Sequence, residues 1–86
     1  MNVVWTKHAE ERLKAWGKKL AITQREIESL LRNPQQIVPG DMDALVAQSK
    51  SHGGLWRVPF KNIKKGRKIL TIYWTSKIEK YWKEEK

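Results

Sequence analysis

Apolar residues recur at helical spacing up to Asn33-Pro34 and at every second position after it, and this change of period restricts the chain to a segregated α+β arrangement. In Lys7–Lys18 the side chains of Ala9, Leu13 and Trp16 share one helix face, with Gly17 close to the expected end. Ahead of that helix, Asn2-Val-Val-Trp-Thr6 is β-branched and aromatic, which reads as a short strand from which Thr6 caps the helix. A second helix opens with a capping box at Thr23 and Glu26 and buries Ile27, Leu30 and Leu31. Asn33-Pro34 stops it, because a proline ring clashes with a helical residue before it.

Beyond Pro34, the segments Gln35–Val38, Asp43–Ser49, Leu55–Lys61 and Lys68–Thr75 read as strands. They are separated by Pro39-Gly40, His52-Gly53-Gly54 and Lys64-Lys65-Gly66, turns short enough to join antiparallel neighbours. Ser76 and Glu79 form another capping box, so a short helix carrying Ile78, Tyr81 and Trp82 is expected to finish the chain. The expected fold is one α+β domain over residues 1–86, with two N-terminal helices packed on one face of an antiparallel sheet and the other face open. Alternation places Trp56, Val58 and Phe60 toward the helices and Leu55, Arg57, Pro59 and Lys61 on the open face. In the last strand Leu70, Ile72 and Trp74 face the helices, and Tyr73 joins Arg57 and Lys61 on the open side with Ile69, Thr71 and Thr75.

A chain of 86 residues supports a single core. No apolar run approaches the length of a membrane span, no secretory signal opens the sequence, and cysteine is absent, so a cytoplasmic protein with no disulfide and no membrane contact is expected. The formal charge is +9, and it is uneven: residues 61–86 hold nine basic and three acidic side chains, residues 1–60 nine and six. A field of that sign attracts phosphate chains, so nucleic acid is the expected ligand; an acidic protein segment is the alternative.

The shared open face carries the chemistry that the residue types allow. Cleavage of RNA by its own 2′-hydroxyl needs a base for that hydroxyl, cations for the crowded phosphate and an acid for the leaving 5′-oxygen, and it needs no metal. Arg57 and Lys61 suit the phosphate and Tyr73 suits orientation or proton exchange, against the plainer reading of solvated strand residues. His8 and Arg12, four positions apart on one side of the first helix, are a second catalytic pair, set against an ordinary structural histidine at a helix start. His52 lies in a turn and is a weaker candidate. No metal site and no cofactor is expected, since neither histidine has a partner at ligand spacing. Lys64, Lys65, Arg67, Lys68 and Lys77 are the expected nucleic-acid contacts. Trp5, Trp16, Trp56 and Trp74 fall on core faces, whereas Tyr81 and Trp82 in the basic tail either stack on bases or pin the tail to the sheet.

Thr6-Lys7-His8-Ala9-Glu10-Glu11-Arg12-Leu13, the run Ile22–Pro34 and the closing Ile69-Leu70-Thr71-Ile72-Tyr73 resemble a prokaryotic family of small domains of unknown function with a His-Ala-x-x-Arg helix. That family is similar in turn to the RelE, ParE and BrnT toxins of toxin-antitoxin pairs. The resemblance implies a RelE-like fold, two helices on a curved antiparallel sheet. It also implies an endoribonuclease that cuts mRNA, often at the ribosome, and is neutralised by a cognate antitoxin protein. Arg57, Lys61 and Tyr73 are the nearest counterparts of the catalytic groups in RelE-type toxins. ParE-like relatives act on gyrase, so the fold leaves the activity open. A non-catalytic basic nucleic-acid-binding module and a protein-interaction domain for an acidic partner are the alternatives.

Overall fold

The computed structural model describes residues 1–84. In chain order the elements are β1 (Asn2–Trp5), α1 (Lys7–Leu20), α2 (Gln24–Arg32), β2 (Gln36–Pro39), β3 (Leu45–Ser51), β4 (Gly54–Ile63), β5 (Gly66–Ile69), β6 (Tyr73–Thr75) and α3 (Ile78–Tyr81). The strands form one six-stranded sheet in the order β1-β5-β4-β3-β2, and β6 pairs with the other half of β4.

Two N-terminal helices on an antiparallel sheet is therefore not the architecture. A strand precedes both helices, and β1 runs parallel to β5, so the sheet is mixed. The cause lies in the packing of β1. Val3 and Trp5 pack against the main core, and the Trp5 indole Nε1 donates to Glu28 of α2 at 2.8 Å, which fastens the strand to the helix layer.

Local signals explain the starts of α1 and α2. The Thr6 hydroxyl accepts from the Ala9 N–H at 3.1 Å and donates to the Leu70 carbonyl at 3.2 Å, so one side chain caps α1 and ties it to the sheet. The Thr23–Glu26 capping box forms in both directions. Helix α1 continues past the expected Lys18 to Leu20 and ends on Ala21 in the left-handed region, φ 56°, whose N–H reaches the Gly17 carbonyl. The helices cover Trp56, Val58, Phe60, Ile69 and Ile72, and Trp16 meets Trp56 edge to face with ring centres 5.6 Å apart.

The expected last strand is broken, and its facing differs from strict alternation. Ile69 pairs with Phe60 and Tyr73 with Arg57, so three steps along β4 match four along the other strand. The extra residue is a bulge. It sends Ile69 as well as Ile72 into the core and turns Leu70 to the opposite face. The carbonyls it displaces are satisfied from α1: Leu70 by Thr6, and Ile72 by the Trp16 indole at 3.2 Å.

The second face is not open along its whole length. Gln48 Nε2 donates to the Tyr81 carbonyl at 3.0 Å, and Gln36 exchanges hydrogen bonds with the backbone of Lys83, donating at 2.6 Å and accepting at 3.0 Å. The C-terminal segment is held over β2 and β3 by these side-chain amides. No helix among the described residues is long and apolar enough to cross a membrane.

Glu28 gives the fold a defined acid response. Its carboxylate accepts from Gln24 and from Trp5, and these hydrogen bonds, with a lesser contribution from Arg32, hold it below its usual range against the opposing effect of burial. A depressed carboxyl stabilises the fold above its unfolded value, 4.5, and loses that contribution as pH falls through the lower folded value. Glu28→Gln should therefore be less stable than wild type at pH 7, and the gap should close in acid. A gap that stays constant down to pH 3 would remove Glu28 from the acid response.

Candidate functional site

The tight turn between β3 and β4 fixes the site. His52 and Gly53 both have positive φ, 60° and 75°, as a two-residue turn matched to strand twist requires. This sets Ser51 opposite Gly54 and so brings Gln48 opposite Arg57. The bulge described above brings Tyr73 opposite Arg57 from the other side. Without the extra residue, Ile72 would stand there and Tyr73 would face the helices.

Arg57 is 9% exposed and Gln48 is 0% exposed, the two polar side chains buried in this layer. Arg57 Nε donates to Gln48 Oε1 at 2.9 Å, and its Nη1 donates to the Tyr73 hydroxyl. The Tyr81 ring stacks on the guanidinium at 4.2 Å and meets the Tyr73 ring edge-on. Gln48 is fully engaged: Oε1 holds Arg57, while Nε2 donates to Gln36 Oε1 and to the Tyr81 carbonyl. Two of the five guanidinium N–H groups are thus accounted for. Nη2 has no hydrogen-bond partner among the described residues and is not fully buried, because Trp56 Nε1 is the only buried side-chain nitrogen or oxygen without a partner among them. Among the described residues Arg57 has no carboxylate at ion-pair distance; the salt bridge among them is Arg32–Glu28 at 3.7 Å.

Arg57 and Tyr73 line a cleft of about 680 Å³, with Thr71 and Tyr81 also in its wall and Lys61, further along β4, toward the β2–β3 loop. Lys61 is exposed and faces Lys68 directly across β4 and β5. Like charges in opposed positions repel, and an anion between them would relieve that. The cleft is therefore suited to a phosphodiester: a guanidinium with an unpaired nitrogen at its floor, the Lys61 ammonium on its rim with Lys68 on the neighbouring strand, and a phenol next to the guanidinium.

The other sequence candidates separate into distinct places. Lys64 and Lys65 form the exposed two-residue turn between β4 and β5, and Lys77 is exposed just before α3. Arg67 is taken up by the fold: it donates to the Leu31 carbonyl at 2.8 Å, covering the C-terminal end of α2, and lies over the Phe60 ring at 4.7 Å. His8 and Arg12 are exposed on α1, which packs on the opposite sheet face, so they do not meet Arg57 and Tyr73. His52 is exposed in its turn, with Nδ1 2.6 Å from Ser51 Oγ. Trp82 lies under the Lys50 ammonium at 4.2 Å, which secures the tail on β3. Sequence reasoning missed Gln48, Gln36 and Asp41. The register set by the His52-Gly53 turn was the signal for Gln48.

No family model, no curated protein and no solved structure matches this chain. What the site does has to follow from its own chemistry.

Proposed function

We propose that the chain is a toxin-type endoribonuclease that cuts mRNA without a metal ion and is held in check by a cognate antitoxin protein. The observation that carries this reading is the Arg57–Tyr73 pair on the floor of a cleft that Lys61 also lines, with Lys68 paired to Lys61 on the next strand. The 2′-hydroxyl gives its proton to solvent water as its oxygen attacks the adjacent phosphorus, the P–O5′ bond breaks, and the 5′-oxygen takes a proton from Tyr73, which recovers one from solvent; a 2′,3′-cyclic phosphate and a 5′-hydroxyl result. Arg57 and Lys61 offset the charge that builds on the phosphate oxygens. Tyr73 accepts a hydrogen bond from Arg57, which leaves its own proton free to be given to the leaving 5′-oxygen. The resemblance to RelE-type toxins supports the same chemistry.

Expression without a partner should halt bacterial growth and yield RNA fragments ending in cyclic phosphate. Purified protein that leaves both naked and ribosome-bound mRNA intact would end the enzyme reading. The tight engagement of Arg57 by Gln48 and Tyr81 favours, as a second reading, a module that binds RNA without cutting it, for which Tyr73→Phe would change nothing.

The basic groups divide in a way that binding measurements can check. Neutralising Lys64, Lys65 or Lys68 should weaken RNA binding across sequences and lower the salt slope by about 0.7 to 0.9 per lost contact. Arg67→Ala should instead lower stability, because the Leu31 carbonyl loses its donor, and leave the salt slope unchanged. A slope change with Arg67→Ala equal to that with Lys68→Ala would contradict this division.

A further inference from the structure

The cleft is larger than a phosphate at Arg57 requires, and its far half has a different chemistry. Pro39, Met42, Val46 and Leu70 supply apolar walls there, and Asp41 lines it as well. Two features of that half are unexplained by folding. Met42 is 87% exposed and sits in the left-handed region at φ 53°, next to Asp43 at φ 65°. A β-hairpin loop that needs such angles favours glycine or asparagine, so a large apolar side chain is kept in water at a backbone cost. Asp41 has no ion pair among the described residues, although it lines a cleft whose other charged side chains, Arg57 and Lys61, are cationic. A carboxylate in a site for a polyanion lowers affinity unless the ligand also brings donors.

A nucleotide meets both conditions, with a phosphate for Arg57 and a flat, apolar, hydrogen-bonding base for the half toward the β2–β3 loop, where the register also brings Lys61. We infer that the half-cleft formed by Pro39, Asp41, Met42 and Val46 is a nucleobase subsite and that it selects guanine. The inference rests on the reading of the cleft as an RNA site. Guanine is the base with two adjacent donors on one edge, N1–H and N2–H, which a carboxylate accepts in pairs. Cytosine and adenine offer one exocyclic amine beside an acceptor, and uracil offers N3–H between two carbonyls that a carboxylate repels. The exposed Met42 thioether is a soft, adaptable wall against a base face.

The test uses short 2′-O-methyl oligonucleotides, which lack the attacking hydroxyl and so report binding alone. In a uridine background a single G should bind on the order of tenfold more tightly than U at the same position. Asp41→Asn should reduce that preference to within about twofold while leaving affinity for the all-U strand intact or improved. Met42→Gly should weaken all four bases alike and raise the thermal midpoint, since it removes the wall and the backbone cost together. Equal affinity for the four bases, or a guanine preference that survives Asp41→Asn, overturns the subsite while the RNA reading stands. So does an Asp41→Asn protein that keeps its base preference but cleaves every sequence slowly, since Asp41 would then serve the chemistry. Failure of every oligonucleotide to bind overturns both readings.

Discussion

Tyr73→Phe is expected to lower the single-turnover cleavage rate about 100-fold at saturating RNA, with affinity within about twofold of wild type. The substitution removes one oxygen and keeps the ring. That ring meets Tyr81 edge-on, so the aromatic packing above Arg57 survives and a fall in rate reads on the hydroxyl. Arg57→Lys should cost a similar factor by a different route. An ammonium keeps the charge but cannot hold Gln48 through Nε while aiming further donors at a phosphate. Arg57→Ala is the less informative change. It strands a fully buried Gln48 carbonyl oxygen, which costs about 1–3 kcal/mol of stability, and any loss of rate then mixes with partial unfolding. Normal rates at saturation for both Tyr73→Phe and Arg57→Lys would take the chemistry off this face and move it to His8 and Arg12 on the far side of the sheet.

The starts of α1 and α2, the turns and the pairing of Arg57 with Tyr73 were legible in the sequence, for local reasons, whereas the Ser76–Glu79 box expected ahead of α3 does not form: Lys77 stands at that N-cap with no side-chain hydrogen bond. Thr6, Thr23 and Glu26 act through hydrogen bonds within a few residues, so their types declare their roles. The bulge was not legible, because Ile69 and Leu70 are both apolar and either can satisfy a core face. Alternation placed Tyr73 on the right side by taking Leu70 inward, when in fact Ile69 goes inward and an extra residue restores the phase before Tyr73. The parallel pairing of β1 was hidden for a related reason: which strand accepts an edge partner depends on contacts some sixty residues apart. Arg67 was grouped with its lysine neighbours by charge, yet its position opposite Asn62 and Val3 directs it to the helix side. Gln48 and Asp41 carry no motif at all. Their importance arises from the register of a hairpin and the wall of a cleft, which composition and spacing do not encode.

Gly66→Ala is expected to destabilise the fold by about 2–4 kcal/mol, an effect out of proportion to one methyl group. A Cβ built on Gly66 would lie 1.9 Å from the Asn2 carbonyl oxygen and 2.7 Å from its carbon, with the Asn2 nitrogen at 2.9 Å. All three are backbone atoms, so no rotamer change can relieve the overlap. The strand pair has to separate at the point where Asn2 and Gly66 are partners. Separation would loosen Val3 and Trp5 from the core and break the Trp5–Glu28 hydrogen bond that ties β1 to α2. Gly53→Ala is the internal control: nothing lies within 4 Å of its Cβ position, and only the positive φ of 75° opposes the change, for a cost of about 1 kcal/mol. Urea midpoints for the two variants should therefore differ clearly, with Gly66→Ala the lower. Equal midpoints would mean that β1 does not lie against β5 as closely as the parallel register requires. Because β1 is at the sheet edge beyond β5, away from Arg57 and Tyr73, the folded fraction of Gly66→Ala should cleave at the wild-type rate.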